Sequence, residues 1–178
     1  MLSWSPLQTL SPNAMLYTRQ LIPPLTLHVP DGRTVRAWDF KQKKNLVIAF
    51  LDVGCAPCED FLHKLAERGG DLRAKEAVAL AVFIEVPPQG LTEALPPEIF
   101  AGSDVSGRAA RAFLGEDALS PTGLGRRGIF VTDRYGELAG HWLATGHEFP
   151  PLGEILACLN QLEIACEECS SPQWPSEG

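Results

Sequence analysis

The chain has 178 residues, 45% of them hydrophobic and 21% charged, enough for one domain with tails at roughly 150 residues per domain. Fifteen Lys and Arg stand against 22 Asp and Glu, a net charge of −7, which argues against a duplex-binding protein whose affinity comes from neutralising phosphates. The longest apolar run, Ala77 to Ile84, is of strand length and far short of the roughly 20 residues needed to span a bilayer.

In chain order, residues 1–20 read as an N-terminal arm, carrying Pro6 and Pro12 and no clear periodicity. The arm shows no export signal, because its first basic residue is Arg19 and no apolar core follows one. A reducing cytoplasm is therefore the expected compartment, where cysteines serve catalysis or metals more often than structure. Leu21, Leu25, Leu27 and Val29 alternate loosely. Pro30-Asp31-Gly32 is a turn signal before Thr34 to Trp38, which together read as a hairpin. Leu46 to Leu51 is a continuous apolar run, as expected of a strand covered on both faces.

From Ala56 the period becomes helical, with Phe61, Leu62 and Leu65 on one face and Gly69-Gly70 as the expected stop. Ala77 to Ile84 is a second buried strand, which completes a βαβ unit. Pro87-Pro88 through Pro96-Pro97 reads as a connection, Gly107 to Leu114 as a helix, and Glu116 to Gly125 as a loop. Gly128 to Asp133 and Leu138 to Leu143 read as a hairpin about Arg134 to Glu137. Pro151 opens a last helix striped by Leu152, Ile155, Leu156, Leu159 and Leu162. The domain is expected over residues 21–165, with a cysteine-bearing tail over 166–178. Trp38 and Trp142 are expected to pack in the core or hairpins.

Five cysteines carry the chemistry. Cys55-Ala56-Pro57-Cys58 lies where a buried strand ends and a helix begins. There the first sulfur meets unsatisfied backbone N–H groups and the positive end of the helix dipole, which favours thiolate. Cys58, a turn further on, is placed to attack a mixed disulfide, and Pro57 stiffens the loop without stranding an N–H. A CxxC can also be half of a zinc site, but the strand and βαβ setting favours redox work. Cys166 and Cys169 form a second pair, read as an auxiliary redox pair, as a metal site with Cys158 and a histidine such as His147, or as inert. Cys158 falls on the apolar stripe and reads as a small core residue. His28, His63, His141 and His147 are not spaced as ligands, and Gly123, Gly125 and Gly128 lack the setting of a phosphate loop. No cofactor and no metal are expected.

These residues resemble the thioredoxin superfamily in its redoxin branch, the alkyl hydroperoxide reductase and thiol-specific antioxidant group. The resemblance runs from about Ile22 to Leu162. It rests on Pro24-Leu25-Thr26-Leu27 with Asp31-Gly32, on Val47 to Cys58, and on Gly128 to Gly136. It implies an α/β, thioredoxin-like fold, a central mixed β-sheet flanked by helices, with the CxxC at the amino end of a long helix. Exchange enzymes of the superfamily usually carry a cis-proline six residues before Asp133. Here that position is Arg127, as in peroxiredoxins, where the arginine supports a reactive thiolate. Peroxiredoxins also place a proline seven residues, and Thr or Ser three residues, before the reactive cysteine, and this chain has Ile48 and Asp52. Gly54 stands where thioredoxins usually carry tryptophan.

A carboxylate at position 52 raises a neighbouring thiol's pKa unless a cation offsets it, so an Asp52–Arg127 pair is one expectation. Asp52 as a base toward Cys58, or as a helix cap, are the others, and Arg127 as a solvated arginine beside Arg126 is the plain alternative. The leading expectation is thiol–disulfide exchange, with Cys55 as nucleophile and Cys58 resolving. A thiol-dependent peroxidase on the same residues is second, with Cys55 becoming a sulfenic acid and Arg127 supporting it. A non-enzymatic redox-sensing or metal-holding module is third. The implied partners are a protein or small-molecule disulfide or a hydroperoxide, and a thiol reductant such as a thioredoxin. Neither nucleic acid nor membrane is expected.

Overall fold

The computed structural model describes residues 16, 18–119, 127–144 and 148–168, without the side chains of 166–168. Seven strands make one mixed sheet in the order β2-β1-β5-β4-β3-β6-β7. They are β1 Thr26–His28, β2 Thr34–Arg36, β3 Asn45–Leu51, β4 Ala77–Phe83, β5 Ile99–Ser103, β6 Arg127–Thr132 and β7 Leu138–Ala144. β3, β4 and β5 are parallel, and β6 returns antiparallel on β3 with Gly128 opposite Phe50. The expected mixed sheet flanked by helices is what the chain forms.

The two continuous apolar runs become strands because both faces are covered: every residue of β3 and β4 is buried. Odd positions of β3 (Val47, Ala49, Leu51) join Phe61, Leu62 and Leu65 of α1 (Ala56–Glu67) and Ile155, Leu156 and Leu159 of α5 (Leu152–Glu168) in one core layer. Even positions (Leu46, Ile48, Phe50) face Phe113 and Leu114 of α4 (Arg108–Leu114), together with Leu25, Leu27 and Leu16. The period-2 alternation of strand side chains thus feeds two cores from one strand. Among the described residues no helix is long and apolar enough to cross a membrane.

Four local expectations are corrected. Gly69-Gly70 do not give way to an open link: α1 ends at Glu67 and the glycines start α2 (Gly69–Ala74), whose Leu72 is buried in the α1 layer. Thr34 to Trp38 is a strand only to Arg36, and Ala37–Phe40 is a 3-10 turn. In that turn the backbone N–H of Arg36 donates to Asp39 Oδ2 at 2.9 Å. Trp38 is not packed inside but is 69% exposed, with Lys41 Nζ 3.9 Å from its ring centroid. The proline connection holds a one-turn helix, α3 (Gln89–Thr92), and is followed by β5, which carries the sheet out to the β1–β2 hairpin.

Candidate active site

The site is built at the carboxyl end of β3, where the chain leaves the sheet at Leu51 and starts α1 at Ala56. Gly54 turns the chain with φ +73°, a left-handed conformation that a side chain would strain. Cys55 follows as the N-cap residue of α1 with extended backbone, and its Sγ accepts the backbone N–H of Cys58 at 3.3 Å. Pro57 lies in the first turn of α1, where a missing N–H costs nothing. Cys55 and Cys58 are joined as a disulfide with their Cα atoms 5.2 Å apart. The two sulfurs differ in access: Cys58 is fully buried in the α1 core layer, whereas Cys55 is half-buried at its edge.

Asp52 connects this pair to the cation. Its backbone N–H donates to Cys58 Sγ at 3.5 Å, while its Oδ2 accepts Arg127 Nε at 2.7 Å. Arg127 is the first residue of β6, next to Gly128 opposite Phe50, so the antiparallel register carries it to the strand end that feeds the CxxC. Its side chain is only 11% exposed, which excludes the solvated alternative. Of the three readings of Asp52, the ion pair with Arg127 is present. The sulfur of Cys55 itself fills the N-cap role.

Phe149, ahead of α5, stacks on Phe61 of α1 with centroids 5.0 Å apart, and so braces the helix that carries both cysteines. Nothing in its sequence neighbourhood marks that contact; only the return of the chain after β7 brings it there. Cys158 is free and half-buried over Gly140 of β7, where a Cβ on the glycine would lie 3.1 Å from its Sγ. Burial pushes its thiol pKa up, which makes it a poor nucleophile. Cys166 lies near the end of α5, while Cys169 and His147 are outside the described residues. His28 and His63 are exposed, and His141 stacks on Phe130 at 6.2 Å with its pKa lowered by burial. Among the described residues no three His, Cys, Asp or Glu side chains are grouped as a metal site.

The sequence matches no protein-family model and no curated protein. Solved structures do match. The yeast mitochondrial 1-Cys peroxiredoxin superposes with TM-score 0.73 at 15% identity, covering 86% of this chain and 79% of that one. The mitochondrial 2-Cys peroxiredoxin of Plasmodium falciparum gives 0.68 at 13% identity, over 88% and 99%. The AhpC of Mycobacterium tuberculosis gives 0.66 at 17% identity, over 88% and 97%. The class this defines is one of fold: the chain has the thioredoxin-like fold in the form that peroxiredoxins take. The fold that the redoxin resemblance over about Ile22 to Leu162 implies is thereby matched in three dimensions.

Proposed function

We propose that the chain is a thiol-dependent peroxidase in which Cys55 reduces a hydroperoxide, Cys58 resolves the product, and a thiol reductant such as a thioredoxin reopens the disulfide. The observation that carries this reading is Asp52, which touches Cys58 through its backbone and fixes Arg127 through its carboxylate. A guanidinium held there is the cation that the peroxidase reading asks for at position 127. The fold shared with peroxiredoxins adds to it.

The steps follow from the arrangement. The Cys55 thiolate, stabilised by the amino end of α1, attacks the terminal peroxide oxygen; the O–O bond breaks, and the departing alkoxide takes a proton to leave as alcohol or water. Cys58 attacks the resulting sulfenic sulfur, the S–S bond forms, and hydroxide leaves as water after protonation. Two thiols and one hydroperoxide thus give one disulfide, one alcohol and one water. Two external thiols then reduce the pair.

Thiol–disulfide exchange remains the second reading, and a specific observation favours it. Ile48 and Asp52 occupy the places where peroxiredoxins carry proline and Thr or Ser. Reduced protein mixed separately with hydrogen peroxide and with an insulin-type disulfide distinguishes the two. The peroxidase reading predicts fast peroxide loss that vanishes in Cys55→Ser and falls about a hundredfold in Arg127→Ala, as when an enzyme loses one charge-stabilising donor. Turnover of the disulfide alone, indifferent to Arg127, would replace it with exchange. If Cys55→Ser changes neither rate, both enzyme readings fall.

A further inference from the structure

At the other end of β3 from the cysteines lies a preformed pocket that the redox chemistry does not use. Its cavity measures about 270 Å³, and Leu46, the second residue of β3, forms part of its lining. Seven strand residues at about 3.3 Å each put it roughly 20 Å from the CxxC. Three backbone bonds tie its walls together: Ala37 N–H to Leu25 O at 3.0 Å, Ile22 N–H to Gly136 O at 2.9 Å, and Gln42 N–H to Arg134 O at 2.6 Å. The pocket is therefore part of the folded frame.

Its lining is apolar and its mouth is cationic. Ile22, Leu25 and Phe40 form the interior together with Leu46. Leu21, Trp38 and Tyr135 also line it and are 67%, 69% and 45% exposed, so half of the six large apolar side chains the described fold leaves in water gather here. Such gathering marks a binding surface, whereas single exposed apolar residues do not. Four basic residues line the pocket, Arg36, Lys41, Lys44 and Arg134, against one carboxylate, Asp133. Asp133 Oδ1 is taken up by the backbone N–H groups of Tyr135 and Glu137 at 2.8 and 2.9 Å. Arg36, Lys44 and Arg134 each meet a carboxylate, of Asp39, Glu76 and Glu163. Lys41 pairs with no carboxylate among the described residues; its ammonium lies over the Trp38 ring, 3.9 Å from the centroid, at the pocket itself.

We infer that this pocket binds a small apolar anion, a carboxylate on a chain of about eight carbons or an equivalent aromatic acid, with the apolar part against Leu46 and Phe40 and the carboxylate at Lys41. Size supports the class: an apolar cavity of about 150 Å³ accepts a benzene ring, and this one is larger. Charge supports the sign, because an anion beside the Lys41 ammonium gains an attraction that a neutral or cationic ligand lacks. The inference does not depend on the peroxidase reading.

The test is calorimetric titration of the full-length reduced chain with octanoate, octylammonium and octanol at low ionic strength, where exposed charges are least screened. Saturable one-to-one binding of octanoate is expected, at least about tenfold tighter than either of the other two. Lys41→Glu should abolish that preference. Trp38→Ala should weaken octanoate severalfold, and the exposure of that side chain keeps the variant folded. Binding should be unchanged in Cys55→Ser, which separates this site from the redox chemistry. No saturable heat with octanoate, equal affinity for octylammonium or octanol, or no effect of Lys41→Glu would each overturn the inference.

Discussion

Asp52 occupies a position where its charge alone is harmful: a carboxylate beside a thiol opposes thiolate formation. The Arg127 guanidinium at 2.7 Å offsets that effect, and the backbone of Asp52 turns the same residue into a donor to Cys58. Asp52→Asn keeps the side-chain volume and loses the charge that fixes Arg127. Peroxide reduction should then fall about tenfold while disulfide formation between Cys55 and Cys58 survives, as read by stopped-flow oxidation and thiol mapping. Cys158 makes a contrasting case. Its buried, raised thiol should resist iodoacetamide at neutral pH while reduced Cys55 reacts, which peptide mass spectrometry can read directly. His141 gives a pH signature. Burial lowers its pKa below the ordinary 6.5, so as pH falls through that value the unfolded chain takes up the proton first and stability declines. Above pH 6.5 the contribution is constant. Denaturant unfolding between pH 7 and 5 should show a shallower decline in His141→Gln.

Among the elements, those most legible in the sequence are those whose environment is uniform. β3 and β4 read as buried strands because helices cover both sides and no polar residue interrupts Leu46–Leu51 or Ala77–Phe83. The CxxC could be placed at a helix start because Pro57 and the apolar period after it agree. β5 escaped the reading because Gly102 and Ser103 are poor strand formers and two prolines precede it. The reason for the glycine is tertiary: a Cβ on Gly102 would lie 2.7 Å from the backbone oxygen of His28 in β1. Gly102→Ala should therefore cost about 1–3 kcal/mol in thermal or denaturant unfolding, since backbone cannot yield as a side chain can. The Asp52–Arg127 pair was legible only as a conditional. The two residues are 75 positions apart, and the antiparallel return of β6 onto β3 is what joins them.

On the scale of the molecule, one sheet separates two chemistries. The carboxyl end of β3 leads to the cysteines and meets the start of β6, which brings Arg127; the amino end of β3 helps close the apolar pocket near Trp38. Trp38, which the sequence places in core or hairpin packing, is exposed instead, and its exposure becomes intelligible with the pocket that it lines. The proposed reaction is conversion of hydroperoxide to alcohol or water by the Cys55–Cys58 pair, with Arg127 linked to it through Asp52. The most direct measurement mixes reduced protein with one equivalent of hydrogen peroxide in a stopped-flow instrument, quenches with acid, and maps thiols by mass spectrometry. Peroxidase chemistry at Cys55 predicts one Cys55–Cys58 disulfide per peroxide consumed, formed far faster than free cysteine oxidises and slowed about a hundredfold in Arg127→Ala. Oxidation of Cys55 no faster than that of free cysteine would contradict it.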